Sequence, residues 1–412
     1  MENILSAGKR SNNKAFLFGL CAVCSIFCGF VSTIMSVYLP VTVKELLGNV
    51  SEQRLGEVSA YIGAMYLYGW MIGGFLFGFA GDKIGRVKVF VTSVLLYSVF
   101  TILISFTHNW IVLVAFRFIS GIGVGGTLVL STILVAEVWP KKSRAIALGI
   151  LAVTFPVGII SAGIANNTFS DWRPAFMLAI LPLLAGLASL SLKETDEWQE
   201  IRKNRQNNLN DRENNLFRSS HKQNLFTGSI MFGTMLIGLW AIFSWMPTWV
   251  QSLFPDANSG QKERGLTMIL LGCGGIIGGA LSGWFVNALG NRKTVMITFA
   301  GSFVMCFILF KTNTAFSSII YVQTAILALF FGISQGALSA YLPSLFPTHI
   351  RSTATGFCFN IGRLATATVV FFVGALVTAL GGYGSAVLTF SITFLIGLVV
   401  TFFSSDGEPH LN

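Results

Sequence analysis

The segment GFAGDKIGRVK, residues 78–88, is a short turn between two long apolar runs, and GWFVNALGNRK at 283–293 stands between another two. Gly85 aligns with Gly290 at an offset of 205 residues, and the flanking glycine and lysine also recur. Self-similarity at a fixed interval is a sign of a duplicated structural unit. The two segments therefore predict a chain built from two related halves.

The composition places both halves in a membrane. Of the 412 residues, 53% are hydrophobic and 11% are charged, and the mean hydropathy is +0.71. A soluble domain carries about 25% charged residues. So apolar a chain cannot cover a surface that faces water, and it requires lipid as its solvent.

Twelve apolar runs are long enough to cross a hydrocarbon core of about 30 Å as helices, and they are too long and too uniformly apolar for barrel strands. They occupy 14–39, 55–80, 87–106, 110–137, 144–166, 173–192, 224–249, 265–288, 294–311, 316–341, 353–380 and 384–403. The predicted fold class is an all-α membrane protein with twelve transmembrane helices in two pseudo-symmetric six-helix bundles.

The loops predict the orientation of the bundles. Placing the N-terminus inside assigns 19 of the 27 Lys and Arg residues to the cytoplasm, so both termini are expected there. The predicted units are a first bundle at 1–192, a cytoplasmic linker at 193–223 and a second bundle at 224–412. The net charge of +10 is explained by these loops, which excludes nucleic acid as a partner.

A second repeated pair supports the duplication. AEVWPKKSRAIALG at 136–149 aligns with PSLFPTHIRSTATG at 343–356 at an offset of 207, which pairs Pro140 with Pro347. Parallel repeats about an axis normal to the membrane are a transporter architecture, in which the substrate site lies between the halves near the bilayer midplane. The site is therefore expected between the two bundles.

These segments resemble signatures of the major facilitator superfamily. The loop signature stands at Gly78, Asp82, Gly85, Arg86 and Lys88. Four further elements resemble those of its sugar-porter and metabolite–proton symporter branches. They are RFISGIGVGG at 117–126, LKETDEW at 192–198, SWMPTW at 244–249 and LFPTHIRSTATG at 345–356.

The resemblance implies a cytoplasmic gate. Asp82, Arg86, Glu137, Arg144 and, in the second half, Arg351 are its implied members. The role implied is a charge relay between helices that holds the cytoplasmic side closed in the outward-open state. The alternative is that these charges serve topology and loop solvation alone.

The gate is expected to be unequal in the two halves. Asn287 stands where the first half has Asp82, and Ser344 stands where it has Glu137. The second half therefore lacks the acids that an ion-pair network needs, and we expect the first half to carry the stronger gate.

Two arginines lie inside predicted spans, Arg117 in the fourth and Arg363 in the eleventh. Arg363 is ten residues into its span and so about 15 Å deep. All the acidic residues lie in loops or near span ends. Unpaired cations at this depth favour an anionic ligand. The alternative is a bond to carbonyls of a neighbouring helix, which fits Arg117 better than Arg363.

Other candidate substrate-binding residues are Gln335, Asn360 and Trp240. Lipid cannot satisfy a side-chain amide, so Gln335 and Asn360 are expected to face a cavity or bridge two helices. Trp240 can line a cavity with its apolar face. The alternative for a tryptophan in a span is the aromatic belt at the membrane surface.

The sequence offers little for proton coupling. The first span, GFVSTIMSVYLP at 29–40, lacks the acidic residue that aromatic-acid symporters of the superfamily carry there, which weakens an aromatic-acid assignment. The four histidines lie in loops or tails. A coupling proton would travel on a substrate carboxylate or on an acid at a span end such as Glu57.

The predicted function is secondary active transport of a small organic anion across the bacterial cytoplasmic membrane, by alternating access, as a proton-coupled importer. The anion would be a carboxylate, a phosphorylated metabolite or a carboxylate-rich chelate. Alternatives are a neutral sugar or polyol carrier, a drug–proton efflux antiporter and a receptor without transport. We expect a monomer in lipid, with no enzymatic activity, cofactor or metal site.

Overall fold

The computed structural model describes residues 13–48, 50–140, 142–196, 198–199, 219–255, 259–346, 351–372, 376–377 and 379–404. It confirms the predicted fold class, because twelve helices are long and apolar enough to cross a membrane. In chain order they are α1 Lys14–Leu47, α2 Glu52–Ile84, α3 Arg86–Ile104, α4 Trp110–Val138, α5 Arg144–Thr168, α6 Trp172–Met177 with Ile180–Ala188, α7 Ser219–Ser252, α8 Gln261–Leu289, α9 Asn291–Thr312, α10 Ile319–Ser344, α11 Arg351–Phe371 and α12 Tyr383–Phe390 with Ile392–Phe402.

Short polar residues start several of these helices. The side chain of Asn13 accepts hydrogen bonds from the first turn of α1, and Asn109 accepts one from Ile111 N at 2.8 Å at the start of α4. Asp171 does the same for α6. Such caps bind N–H groups that have no partner within the helix. They set where each apolar run becomes a helix.

The repeated turn has the same design in both halves. Gly85 separates α2 from α3 with φ of +137°, and Gly290 separates α8 from α9 with φ of +82°. Residues with a Cβ rarely adopt such angles, so glycine permits the chain to reverse directly from one helix into the next. The sequence repeat is thus a repeat of backbone geometry.

Glycines allow the same pair of helices to pack closely in each half. A methyl group added at Gly125 of α4 would lie 2.1 Å from the carbonyl oxygen of Trp70 in α2. One added at Gly278 of α8 would lie 2.2 Å from the carbonyl oxygen of Leu329 in α10. The glycine runs of α4 and α8 therefore serve helix packing.

The two halves meet at mid-depth and at the ends predicted to be extracellular. There, Asn166 Nδ2 donates to the carbonyl of Gln261 at 2.6 Å, and Gln261 Nε2 donates back to the carbonyl of Asn166 at 2.7 Å. Nearer the middle, Tyr68 of α2 shares a hydrogen bond of 2.9 Å with Thr368 of α11. Among the described residues, hydrogen bonds between the halves are confined to these two levels.

Most of the predicted linker at 193–223 lies outside the described residues. Helix α7 begins at Ser219, within the range that the sequence assigned to the linker. The predicted boundaries of the two bundles stay predictions.

Candidate functional site

A small cavity lies between the halves at mid-depth. Helices α2, α7 and α11 each contribute two side chains to its wall, so both halves take part. It encloses about 20 Å³, which is room for about one water molecule. Its lining residues are Leu67, Trp70, Leu236, Trp240, Arg363 and Thr366.

Arg363 is the one charged group in this lining. Its Nη1 donates to Oδ1 of Asn360 at 3.3 Å, the one hydrogen bond of this guanidinium among the described residues. A guanidinium has five N–H donors and no acceptor. Because all 17 acidic residues lie in loops or near helix ends, the chain places no carboxylate at this depth. Arg363 thus offers the cavity an uncompensated positive charge and unused donors.

An aromatic cluster of Trp70, Trp240 and Phe155 forms another side of the site. The rings of Trp70 and Trp240 meet edge to face across the two halves, with centroids 5.3 Å apart. Phe155 of α5 lies 5.7 Å from Trp70 and 6.5 Å from Trp240. Such rings provide flat apolar walls that suit a planar ligand.

Asn360 and Thr366 flank Arg363 on α11. Asn360 Nδ2 donates to the carbonyl of Gly356 at 2.9 Å, and the Thr366 hydroxyl donates to the carbonyl of Gly362 at 2.8 Å. These bonds fix both side chains along their own helix. The predicted partners Arg363 and Asn360 are therefore together in the structure, beside the predicted Trp240.

Gln335 is exposed in the middle of α10 and is not part of the cavity lining. Ile326 and Val322 are exposed apolar residues of the same helix. At 100° per residue, Ile326 points opposite to Gln335, so the amide lies on the face away from the apolar exposed side. The structure thus keeps Gln335 apart from Arg363 while directing it away from lipid.

Arg117 is a correction to the predicted substrate site. Its side chain is 2% exposed, its Nη1 donates to the carbonyl of Val31 at 2.8 Å, and its guanidinium lies 3.8 Å from the ring centre of Tyr66. A carbonyl and an aromatic face occupy this cation, which leaves it outside the cavity lining. Arg117 supports the layer behind Trp70, whose ring contacts Tyr66.

The comparisons with known proteins identify the family. The profile of the Major Facilitator Superfamily matches residues 21–370. The chain belongs to this superfamily. It is therefore an integral, multi-pass membrane transporter and not an enzyme.

Two curated relatives carry substrate names. A cis,cis-muconate transport protein of Acinetobacter baylyi is 29% identical, over 87% of this chain and 88% of the relative. A benzoate transport protein of the same organism is 24% identical, over 93% and 88%. The inward-open xylose transporter XylE from E. coli superposes with a TM-score of 0.79 at 15% identity, over 97% of this chain and 98% of XylE, and this likeness concerns the fold alone.

The superfamily loop forms a charge cluster at the predicted cytoplasmic end of the first half. Arg86 Nη1 lies 2.5 Å from Asp82 Oδ1, and its Nε donates to Glu137 Oε1 at 3.1 Å. The Thr195 hydroxyl donates to the second oxygen of Glu137 at 2.5 Å. Three of the predicted gating residues, Asp82, Arg86 and Glu137, are thus brought together.

The other two predicted gating residues have different outcomes. The half-buried Arg144 makes no described ion pair, and its buried Nε has no hydrogen-bond partner among the described residues. Arg86 and Thr195 already bind the two oxygens of Glu137, so the structure does not place Arg144 in the cluster. The side chain of Arg351 lies outside the described residues.

Sequence reasoning quoted LKETDEW at 192–198 but missed its contacts. Glu194 accepts hydrogen bonds from the backbone N–H groups of Val87 and Lys88 at 3.1 Å, at the first turn of α3. Trp198 Nε1 donates to the carbonyl of Asp82 at 3.3 Å. A carboxylate at a helix N-terminus is a common cap, but the sequence does not show which helix is capped.

Two residues of the cavity wall, Trp70 and Thr366, were also missed. Each stands in an apolar span without a charge or a repeated motif to mark it. Trp70 gains its role from packing against Trp240, and Thr366 from lying one turn beyond Arg363 on the same helix. Both signals are tertiary, because they depend on how α2, α7 and α11 meet.

Proposed function

We propose that this protein transports a small planar organic carboxylate across the cytoplasmic membrane by alternating access. The observation that carries the proposal is Arg363, a cation in the cavity between the halves that no side chain of the protein neutralises. A ligand carboxylate would supply both the missing charge and the missing acceptors.

The donor count supports a carboxylate. With one N–H directed to Asn360, the Arg363 guanidinium keeps four others, and its planar fork can bind two carboxylate oxygens in parallel. A neutral sugar would leave this charge unpaired, and a cationic drug would be repelled by it. Both alternatives are therefore disfavoured at this site.

The aromatic cluster supports a planar, unsaturated body on the ligand. Trp70, Trp240 and Phe155 offer ring faces and edges beside Arg363, with few polar groups in the lining. Muconate and benzoate, the substrates named for two relatives, are both flat conjugated carboxylates. The present cavity must widen to admit either, which fits a site that opens by movement of the halves.

The remaining predictions join this proposal. The cluster of Asp82, Arg86 and Glu137 would hold the cytoplasmic side closed in the outward-open state. One chain would suffice as a monomer in the lipid of the bacterial inner membrane, because both halves of the site come from the same chain. Proton coupling stays a prediction, with Glu57 at an α2 end and paired with Arg54 at 3.0 Å.

A thermal-shift screen of the purified protein tests the substrate class. Benzoate and cis,cis-muconate are expected to raise the unfolding temperature, and neutral xylose is not, because a ligand that binds the folded state stabilises it. Arg363→Ala should abolish the carboxylate shift, while Arg54→Ala, at an exposed outer-end arginine, should preserve it. A neutral ligand whose shift survives Arg363→Ala would overturn the proposal.

A further inference from the structure

The charge inventory of the membrane interior has a consequence for coupling. Arg363 is a cation at mid-depth, and the acids nearest to the membrane are at helix ends and already paired, as Glu57 is with Arg54 and Glu137 with Arg86. The four histidines also lie outside the spans. No side chain that titrates near neutral pH therefore accompanies Arg363 in the middle of the bilayer.

Alternating access requires a state in which the cavity is shut from both sides. In that state an empty site encloses Arg363 among Leu67, Leu236 and two tryptophans, with one amide as its partner. Arginine stays protonated in proteins, so it cannot escape this cost by losing its proton. A buried charge without a partner is strongly unfavourable, whereas a guanidinium bound to a carboxylate forms a neutral pair.

We infer that the protein is an anion exchanger: it reorients rapidly with a carboxylate on Arg363 and slowly without one. This inference rests on the proposed function. Each carboxylate that is released on one side is replaced by another before the halves move back. Exchange of two anions of equal charge moves no net charge across the membrane.

Proton symport fits the same site less well. If the proton travelled on the substrate, a neutral carboxylic acid would enter and leave Arg363 without a counter-ion. If it travelled on the protein, a titratable group would be required beside the substrate, and the spans place none there. Exchange needs neither, since the carboxylate is itself the neutralising group.

Transport by the purified full-length protein in liposomes tests the inference. Uptake of radiolabelled benzoate is measured into liposomes with and without internal unlabelled benzoate, in chloride-free sulfate buffer with the membrane potential clamped by potassium and valinomycin. Internal benzoate is expected to accelerate uptake at least about tenfold, which corresponds to about 1.4 kcal/mol of barrier. An imposed pH gradient, acidic outside, should not replace internal benzoate.

The outcomes separate the two proposals. Uptake into empty liposomes that matches the exchange rate, or that a pH gradient drives to it, overturns exchange and leaves the carboxylate substrate intact. If neither benzoate nor cis,cis-muconate is transported in either mode, the proposed substrate class fails, and the inference fails with it.

Asn360 offers a variant that isolates the charge. Asn360→Asp places a carboxylate where Oδ1 already lies 3.3 Å from the guanidinium, so Arg363 gains a permanent counter-ion. We expect the ratio of exchange to net uptake to fall towards one and the KM for benzoate to rise. Asn360→Ala removes the amide without adding charge and should keep a ratio well above one. An unchanged ratio in a folded Asn360→Asp protein contradicts the inference.

Discussion

The two halves share a backbone plan but treat their arginines differently. In the first half, Arg86 pairs with Asp82 and Glu137, and Arg117 is held by the carbonyl of Val31. In the second half, Arg363 has one amide and a cavity. Duplication preserved the geometry of the turns and close helix packing, while the charges diverged. The half that neutralises its cations internally can act as a gate, and the half that does not can bind an anion.

The largest expected effect concerns the gate of the first half. Asp82→Asn removes the carboxylate 2.5 Å from Arg86 and leaves that arginine with Glu137. We expect uptake in cells to fall to background with normal expression, because the cytoplasmic side no longer closes. Asp196→Asn, at an exposed acid on the same end, is the matched control and should transport normally. Near-normal uptake by Asp82→Asn would show that these charges serve topology alone.

A smaller effect is expected from keeping the charge of Arg363 and changing its shape. Arg363→Lys retains a cation but loses the planar fork that binds two oxygens at once. The affinity for benzoate should fall about tenfold, which is about 1.4 kcal/mol, as measured by calorimetry on purified protein. If Lys binds as tightly as Arg, the site recognises charge without bidentate geometry. If it binds no benzoate, the fork is the whole of the interaction.

Much of this contrast could be predicted from the sequence. Apolar runs of membrane length gave twelve spans, and the repeated Gly85 and Gly290 gave the two halves, because each signal is local along the chain. The lack of mid-span acids pointed to Arg363, since a charge at that depth needs a partner whatever the fold.

The rest depends on which helices meet. Arg117 and Arg363 look alike in the sequence, and their difference arises because α4 packs against Val31 of α1 and Tyr66 of α2, whereas Arg363 faces a gap between halves. Gln335 was grouped with Arg363 for its polarity, but it lies on a helix that does not line the cavity. Periodicity gives the face of a helix and not the identity of its neighbour.

The two arginines should respond in opposite directions to loss of charge. Arg117→Met leaves the carbonyl of Val31 without its donor and the Tyr66 ring without its cation, which should cost about 1–3 kcal/mol of stability. Arg363→Met replaces an unpaired cation by an apolar group and should raise the unfolding temperature while abolishing the benzoate response. Both are read from thermal unfolding in detergent. A fall in stability for both variants would mean that Arg363 has a structural partner after all.

The smallest expected effect comes from restoring an acid to the second half. Asn287→Asp recreates the residue that corresponds to Asp82, but the arginine partner is missing, because Asn291 occupies the position of Arg86. The nearby Arg292 already donates to the carbonyl of Thr401 at 3.1 Å and to that of Phe402. A new exposed pair with it would contribute less than about 1 kcal/mol. Uptake should therefore change less than about twofold, as measured in the same cells as Asp82→Asn. A marked gain or loss would show that one carboxylate is enough to build a gate, and that the difference between the halves lies in the acids alone and not in the arginine that binds them.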